Sequence, residues 1–141
     1  RLNRGYLTPA RDYESGGSRT DILMVSNFRE DEVYQAAKYI VWLTPKHREK
    51  LSDEEISKLY FYPLEWWEEL MPKIGSRPSS GCMAIDLLVR LGVGSLTLYG
   101  FDFWQTNSWC FNENRPGPHS PSAEEALARE LEKQGKLKIV A

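Results

Sequence analysis

Cysteine is nearly absent from this chain: Cys82 and Cys110 are the only two in 141 residues, and no metal-site spacing connects them. Two are too few for a disulfide scaffold, so both read as free thiols in a chain that must be held by its core. Charge of one sign is also missing. Eighteen Lys and Arg stand against twenty Asp and Glu, a net charge of -2, which leaves no basic field to attract nucleic acid. No apolar run approaches the roughly 20 residues that span a bilayer, and the start lacks a signal-like pattern. No Asp-x-Asp pair offers ligands for a metal-bridged sugar nucleotide, and Gly16-Gly17 is a turn, not a Walker loop or a dinucleotide fingerprint. These stretches thus carry no evident metal-bridging or dinucleotide signature. Histidine is scarce, with His47 placed among charges in TPKHREK and His119 before an apolar-periodic run.

What remains is ordinary globular composition, 41% hydrophobic and 27% charged, enough for one domain over residues 1–141. The chain begins at Arg1 without a Met, so an upstream part is expected. TDILMVSN (Thr20 to Asn27) reads as a buried strand, EDEVYQAAKY as a short helix with Val33, Ala36 and Ala37 on one face, and YIVWLT (Tyr39 to Thr44) as a second strand. PKHREKLSDEEISKLYFY is helix-like, with Ser52 and Glu55 spaced as a capping box. Pro63 opens another helix in which adjacent Trp66 and Trp67 point different ways, so at most one is buried.

Ala84, Leu87, Leu88 and Leu91 form an apolar helical stripe that Gly92 ends, and SLTLYGFDF follows as a strand. Ala123, Leu127 and Leu131 mark a last helix closed by Gly135, with KLKIVA a final strand. Strands alternating with helices predict crossover connections and a mostly parallel sheet, a Rossmann-like three-layer α/β/α fold. Such folds bind ligands at strand carboxyl ends and helix amino ends.

Three stretches there carry candidate chemistry. In PSSG, Ser79 and Ser80 can cap a helix or offer hydroxyls and a positive helix end to an anion, with Gly81 permitting close approach. In PHSPSAEEALARELE, Ser120-Pro121 starts a helix; His119 just before it is either a surface residue or a base kept neutral by the helix dipole, and Glu124 falls in the first turn. In GFDFWQTNSWCFNEN, Phe101, Phe103, Trp104, Trp109 and Phe111 surround Asp102 and Asn112, as either the edge of the core or the walls of a sugar or nucleoside pocket.

Taken in order, RLN, GGSRTD, RPSSG with its helix, LYGFDF and HSPSAE resemble the sialyltransferases of glycosyltransferase family 29, and GFDFWQTNSWCF is also similar to the bacterial family 42 sialyltransferases. The end of the large sialyl motif would lie in 1–21, the small motif in 77–101 and the very short motif, His-x4-Glu, in 119–124. The resemblance implies a GT-A-like variant of the α/β/α fold. The first strand and Gly-rich loop of that fold have no counterpart here, unless they lie upstream.

It further implies a metal-independent, inverting transfer of sialic acid from CMP-sialic acid to a glycan acceptor hydroxyl. Asn3 would contact the cytidine nucleotide, Ser79, Ser80 and Gly81 would hold the donor, and His119 would be the general base, with Glu124 supporting the site. Phe101 and Asp102 would line the same pocket. Trp104 and Trp109 stand where the families carry phosphate-side His or Tyr, and are the candidates for that place. Transfer of another CMP-activated ulosonic acid such as Kdo, or a non-catalytic glycan-binding module, are the alternatives. Gly92 replaces the disulfide cysteine of the animal enzymes, which favours the cytoplasm, peripheral to a bacterial inner membrane, over a Golgi lumen.

Overall fold

The structure, a computed structural model, describes all residues except 9, 10, 12, 13, 15, 16, 28, 29, 107–116 and 141. The expected residue Trp109, with Cys110, Phe111 and Asn112, lies outside the described residues. Contacts cluster into two compact units, Arg1–Trp67 and Glu68–Ala141.

In the first unit, β1 (Ile22–Val25) pairs in parallel with β2 (Tyr39–Trp42), and β2 with β3 (Tyr60–Phe61). Leu23, Met24 and Val25 are buried in succession, as are Ile40, Val41 and Trp42. Successive strand residues point to opposite faces, so both strands are covered on both sides, the condition that makes parallel strands read as unbroken apolar runs. The connection from β1 to β2 is α1 (Asp31–Gln35), whose Val33 enters a cluster with Leu23, Val25, Ile40, Trp42 and Leu51. Leu2 bridges Met24 in parallel, which lays the chain start along the edge of β1.

The charged, helix-like run forms a 3-10 turn at Pro45–Lys50 and then α2 (Asp53–Ser57), which starts at the expected cap. The break is Ser52, whose extended backbone and full capping box with Glu55 start a new helix. The run's end, Tyr60–Phe61, is a strand that apolar periodicity did not show, because two residues have no period and only pairing with β2 defines them. In α3 (Leu64–Ile74), Trp67 is buried and Trp66 half-buried, edge-to-face with Tyr62.

The second unit contains α4 (Ser80–Arg90), β4 (Thr97–Tyr99), α5 (Pro121–Lys133) and β5 (Lys138–Val140), with β4 and β5 parallel. Ile85, Leu98, Ala128 and Leu137 form its core cluster, flanked by Phe101, Phe103 and Leu131. Glu132 accepts the Ile139 N–H at 2.8 Å, joining α5 to β5. Arg90 donates to Asp86 at 2.8 Å and to Glu69 at 2.7 Å, joining α4 to α3.

The apolar stripe of α4 is also shifted from its expected place. Cys82, Met83, Ala84, Ile85 and Leu87 are buried, whereas Leu91 is 63% exposed. Leu91 is the C-cap, and Gly92, at φ +69°, turns the chain away before that side chain can pack. The following strand is three residues long and does not run into Phe101 and Asp102, because Gly100 turns at φ +72°. The class is α/β, with one three-stranded and one two-stranded parallel sheet among the described residues. Among those residues no helix is long and apolar enough to cross a membrane.

Candidate functional site

Expected site residues fall in both units. Asn3 belongs to the first, in a 3-10 turn at Asn3–Leu7 with φ +47°. Its Oδ1 accepts the Ser26 N–H at 3.0 Å and the Ser26 hydroxyl at 3.3 Å, directly after β1. The second unit holds Ser79, Ser80, Gly81, Phe101, Asp102, Trp104, His119 and Glu124. Its β4 leads, through Gly100, to the aromatic turn, and α4 and α5 both begin from this group of residues. That is the strand-end, helix-start position at which α/β folds hold ligands.

Ser79 is the N-cap of α4, and its Oγ accepts the Cys82 N–H at 3.1 Å. The same residue faces Glu124: its N–H donates to Oε1 at 2.8 Å and its hydroxyl to Oε2 at 2.5 Å. Ser79 and Glu124 are both buried, at 7% and 4% exposure. The single hydroxyl proton of Ser79 is thus committed to Glu124, so this side chain acts as a brace between two helix starts and has no second proton for a ligand. The sequence offers Ser79 as a cap or a donor-binding hydroxyl, and Glu124 as a first-turn acid supporting the site, with no link between the two. The buried pairing between residues 45 apart was not visible in either stretch.

The imidazole of His119 is oriented from two sides. Its Nδ1 lies 2.7 Å from the Arg77 carbonyl oxygen. A carbonyl can only accept, so Nδ1 carries the proton and the neutral ring keeps its lone pair on Nε2. The Trp104 indole stacks on the ring, with centroids 5.8 Å apart and planes 23° from parallel. Arg77 was not among the residues read from the sequence, and no local signal could have named it, because its contribution is a backbone carbonyl.

Trp104 reaches this place through an unusual turn. Phe103 and Trp104 both have positive φ, +52° and +63°. Side chains of this size are outliers there, at a cost on the order of 1–3 kcal/mol each. Asp102 holds the turn: Oδ1 accepts the Trp104 N–H at 3.1 Å, and Oδ2 accepts the Thr106 N–H at 2.8 Å and also its hydroxyl. Asp102 therefore shapes the loop and does not stand free as an acid or base.

Gly81 has a steric reason of its own. A Cβ at this position would meet Phe101 Cε1 at 2.9 Å. Phe101 is packed against the core cluster and against Phe103, with ring centroids 6.5 Å apart, so it has little room to move. In a helix Gly→Ala ordinarily stabilises by up to about 1 kcal/mol. Here the sign reverses: Gly81→Ala is expected to destabilise by about 1–3 kcal/mol, the usual penalty of overpacking. Urea unfolding of the wild type and the variant measures this, and a neutral or stabilising result would show that Phe101 yields freely.

Cys82, also on α4, is no nucleophile. Burial, with Glu124 and Asp86 adding to it, pushes its thiol well above the ordinary range and keeps it protonated. A cavity of about 300 Å³ lies at the other ends of the helices, lined by Val89, Gly92, Val93, Gly94, Gly135 and Lys136. The length of α5 separates it from His119 by about 20 Å at 1.5 Å per residue.

The chain matches no known family model, no curated protein and no solved structure.

Proposed function

We propose that the chain is a sialyltransferase-like glycosyltransferase domain on a Rossmann-like scaffold, which moves sialic acid from CMP-sialic acid to a glycan acceptor hydroxyl. The observation that carries this reading is the oriented imidazole. His119 has Nδ1 fixed on a carbonyl, which makes Nε2 the basic nitrogen whenever the ring is neutral, the arrangement of a base aligned by a third group. In the reaction Nε2 takes the acceptor hydroxyl proton as that oxygen bonds to the anomeric carbon. The bond from that carbon to the phosphate oxygen breaks, CMP leaves with its electrons, and the configuration inverts.

The amino end of α4 already meets the buried Glu124 carboxylate at Ser79, so only its further first-turn N–H groups would face the departing phosphate. Because the N–H and hydroxyl of Ser79 serve Glu124, donor contact there falls to Ser80 and Gly81. A glycan-binding module without transfer activity is the competing reading; the tight commitment of Ser79 to structure favours it.

Calorimetric titration of the full chain with CMP separates the two. A saturable one-to-one isotherm, weakened by Ser80→Ala, is the expected result. A chain that binds a sialylated glycan but ignores CMP would overturn the transferase reading.

A further inference from the structure

We propose that Trp104 is a positioning residue for His119, and that the strained turn from Asp102 to Thr106 exists to hold its indole there. This rests on the reading of His119 as the base. A single hydrogen bond from Nδ1 to the Arg77 carbonyl fixes the tautomer but leaves the ring free to swing about the Nδ1···O axis. Swinging moves Nε2 through an arc, and a base displaced by about 1 Å can lose on the order of 100-fold in rate. A flat indole at 5.8 Å and 23° removes that remaining freedom.

The turn is built for the purpose. Two bulky side chains adopt positive φ in succession, a conformation that persists only where the surroundings over-determine it. Asp102 does so with three accepted hydrogen bonds, one of them from the Trp104 N–H itself. Trp104 therefore acts through the imidazole, with one face of its ring turned to His119.

Proton NMR of the full chain tests this apart from catalysis. Its two histidines give two imidazole spin systems, and His119→Ala assigns them. The His119 ring protons should lie upfield in the wild type, shifted by the indole ring current. They should return towards ordinary positions in Trp104→Ala and in Asp102→Ala, and recover in part in Trp104→Phe, whose smaller ring still offers a face. In transfer assays Trp104→Ala should lower kcat by about 10–100-fold with the donor KM within about twofold, and Trp104→Phe should restore most of the loss. Absence of the upfield shift in the wild type would overturn the stack. Loss of the shift with kcat unchanged would overturn the positioning role. A wild-type chain with the shift but no transfer from any CMP-sugar would instead remove the base, and the positioning role with it, while leaving the stack in place.

Discussion

Replacing His119 with alanine is expected to lower glycosyl transfer by about 10²–10⁴-fold, the usual contribution of a general base, with CMP binding nearly unchanged. The separation follows from the geometry. The imidazole is held by Arg77 and Trp104, neither of them a first-turn residue of α4, so its removal leaves the proposed donor contacts at Ser80 and Gly81 in place. His119→Asn sharpens the comparison. Its amide can still donate to the Arg77 carbonyl, yet it has no basic nitrogen, so it should keep the fold and lose the rate. Transfer assays with CMP-sialic acid and with CMP-Kdo, beside donor hydrolysis in the absence of acceptor, check the expectation and identify the sugar. Hydrolysis should suffer less than transfer, because water needs less help to lose its proton once an oxocarbenium-like centre has formed. Equal transfer by wild type and both variants would take His119 out of the chemistry.

How much of this was legible beforehand depends on the range over which each feature is decided. The capping box of Ser52 and Glu55, and the helix endings at Gly92 and Gly135, are settled within a turn of chain, and the structure has them where the spacing predicts. The buried runs at β1 and β2 were readable because strands covered on both faces have an unbroken apolar pattern. Trp67 buried beside a half-buried Trp66 follows from the 100° between adjacent helical residues.

Features decided by distant partners were not readable. β3 is two residues that become a strand only beside β2. Phe103 and Trp104 carry no local sign of positive φ, since neither is Gly, Asn or Asp, and the Asp102 side chain that holds them reads equally well as a pocket acid. For the same reason the sequence named His119 and Glu124 as candidates without their partners. One is aligned by a carbonyl and an indole, the other by a serine on a different helix. Sequence pattern thus named the candidate residues, while packing determined which of their polar groups are already committed to the fold.

Glu124→Ala is expected to destabilise the protein by about 2–4 kcal/mol, because it strips the acceptor from two buried donors of Ser79, each worth roughly 1–3 kcal/mol when left unsatisfied. Glu124→Gln should cost less. Its amide oxygen can keep the Ser79 N–H, and its NH₂ can donate to the serine hydroxyl, which then loses only its own donor role. Ser79→Ala removes the N-cap of α4, worth about 1 kcal/mol, and half of the bridge. The double variant should therefore cost less than the sum of its singles, the mark of two residues in one network. Urea unfolding followed by circular dichroism measures all four. A Glu124→Ala variant within about 0.5 kcal/mol of wild type would mean that water replaces the carboxylate without loss. The bridge also reaches the base. Arg77 and Ser79 belong to one short segment, gripped by His119 at one residue and by Glu124 at the other. Freeing Ser79 loosens the carbonyl that fixes the histidine tautomer, so transfer by folded Glu124→Ala should fall, and Glu124→Gln should restore it. In this arrangement the carboxylate touches no substrate, and its effect on rate passes through the Arg77 carbonyl.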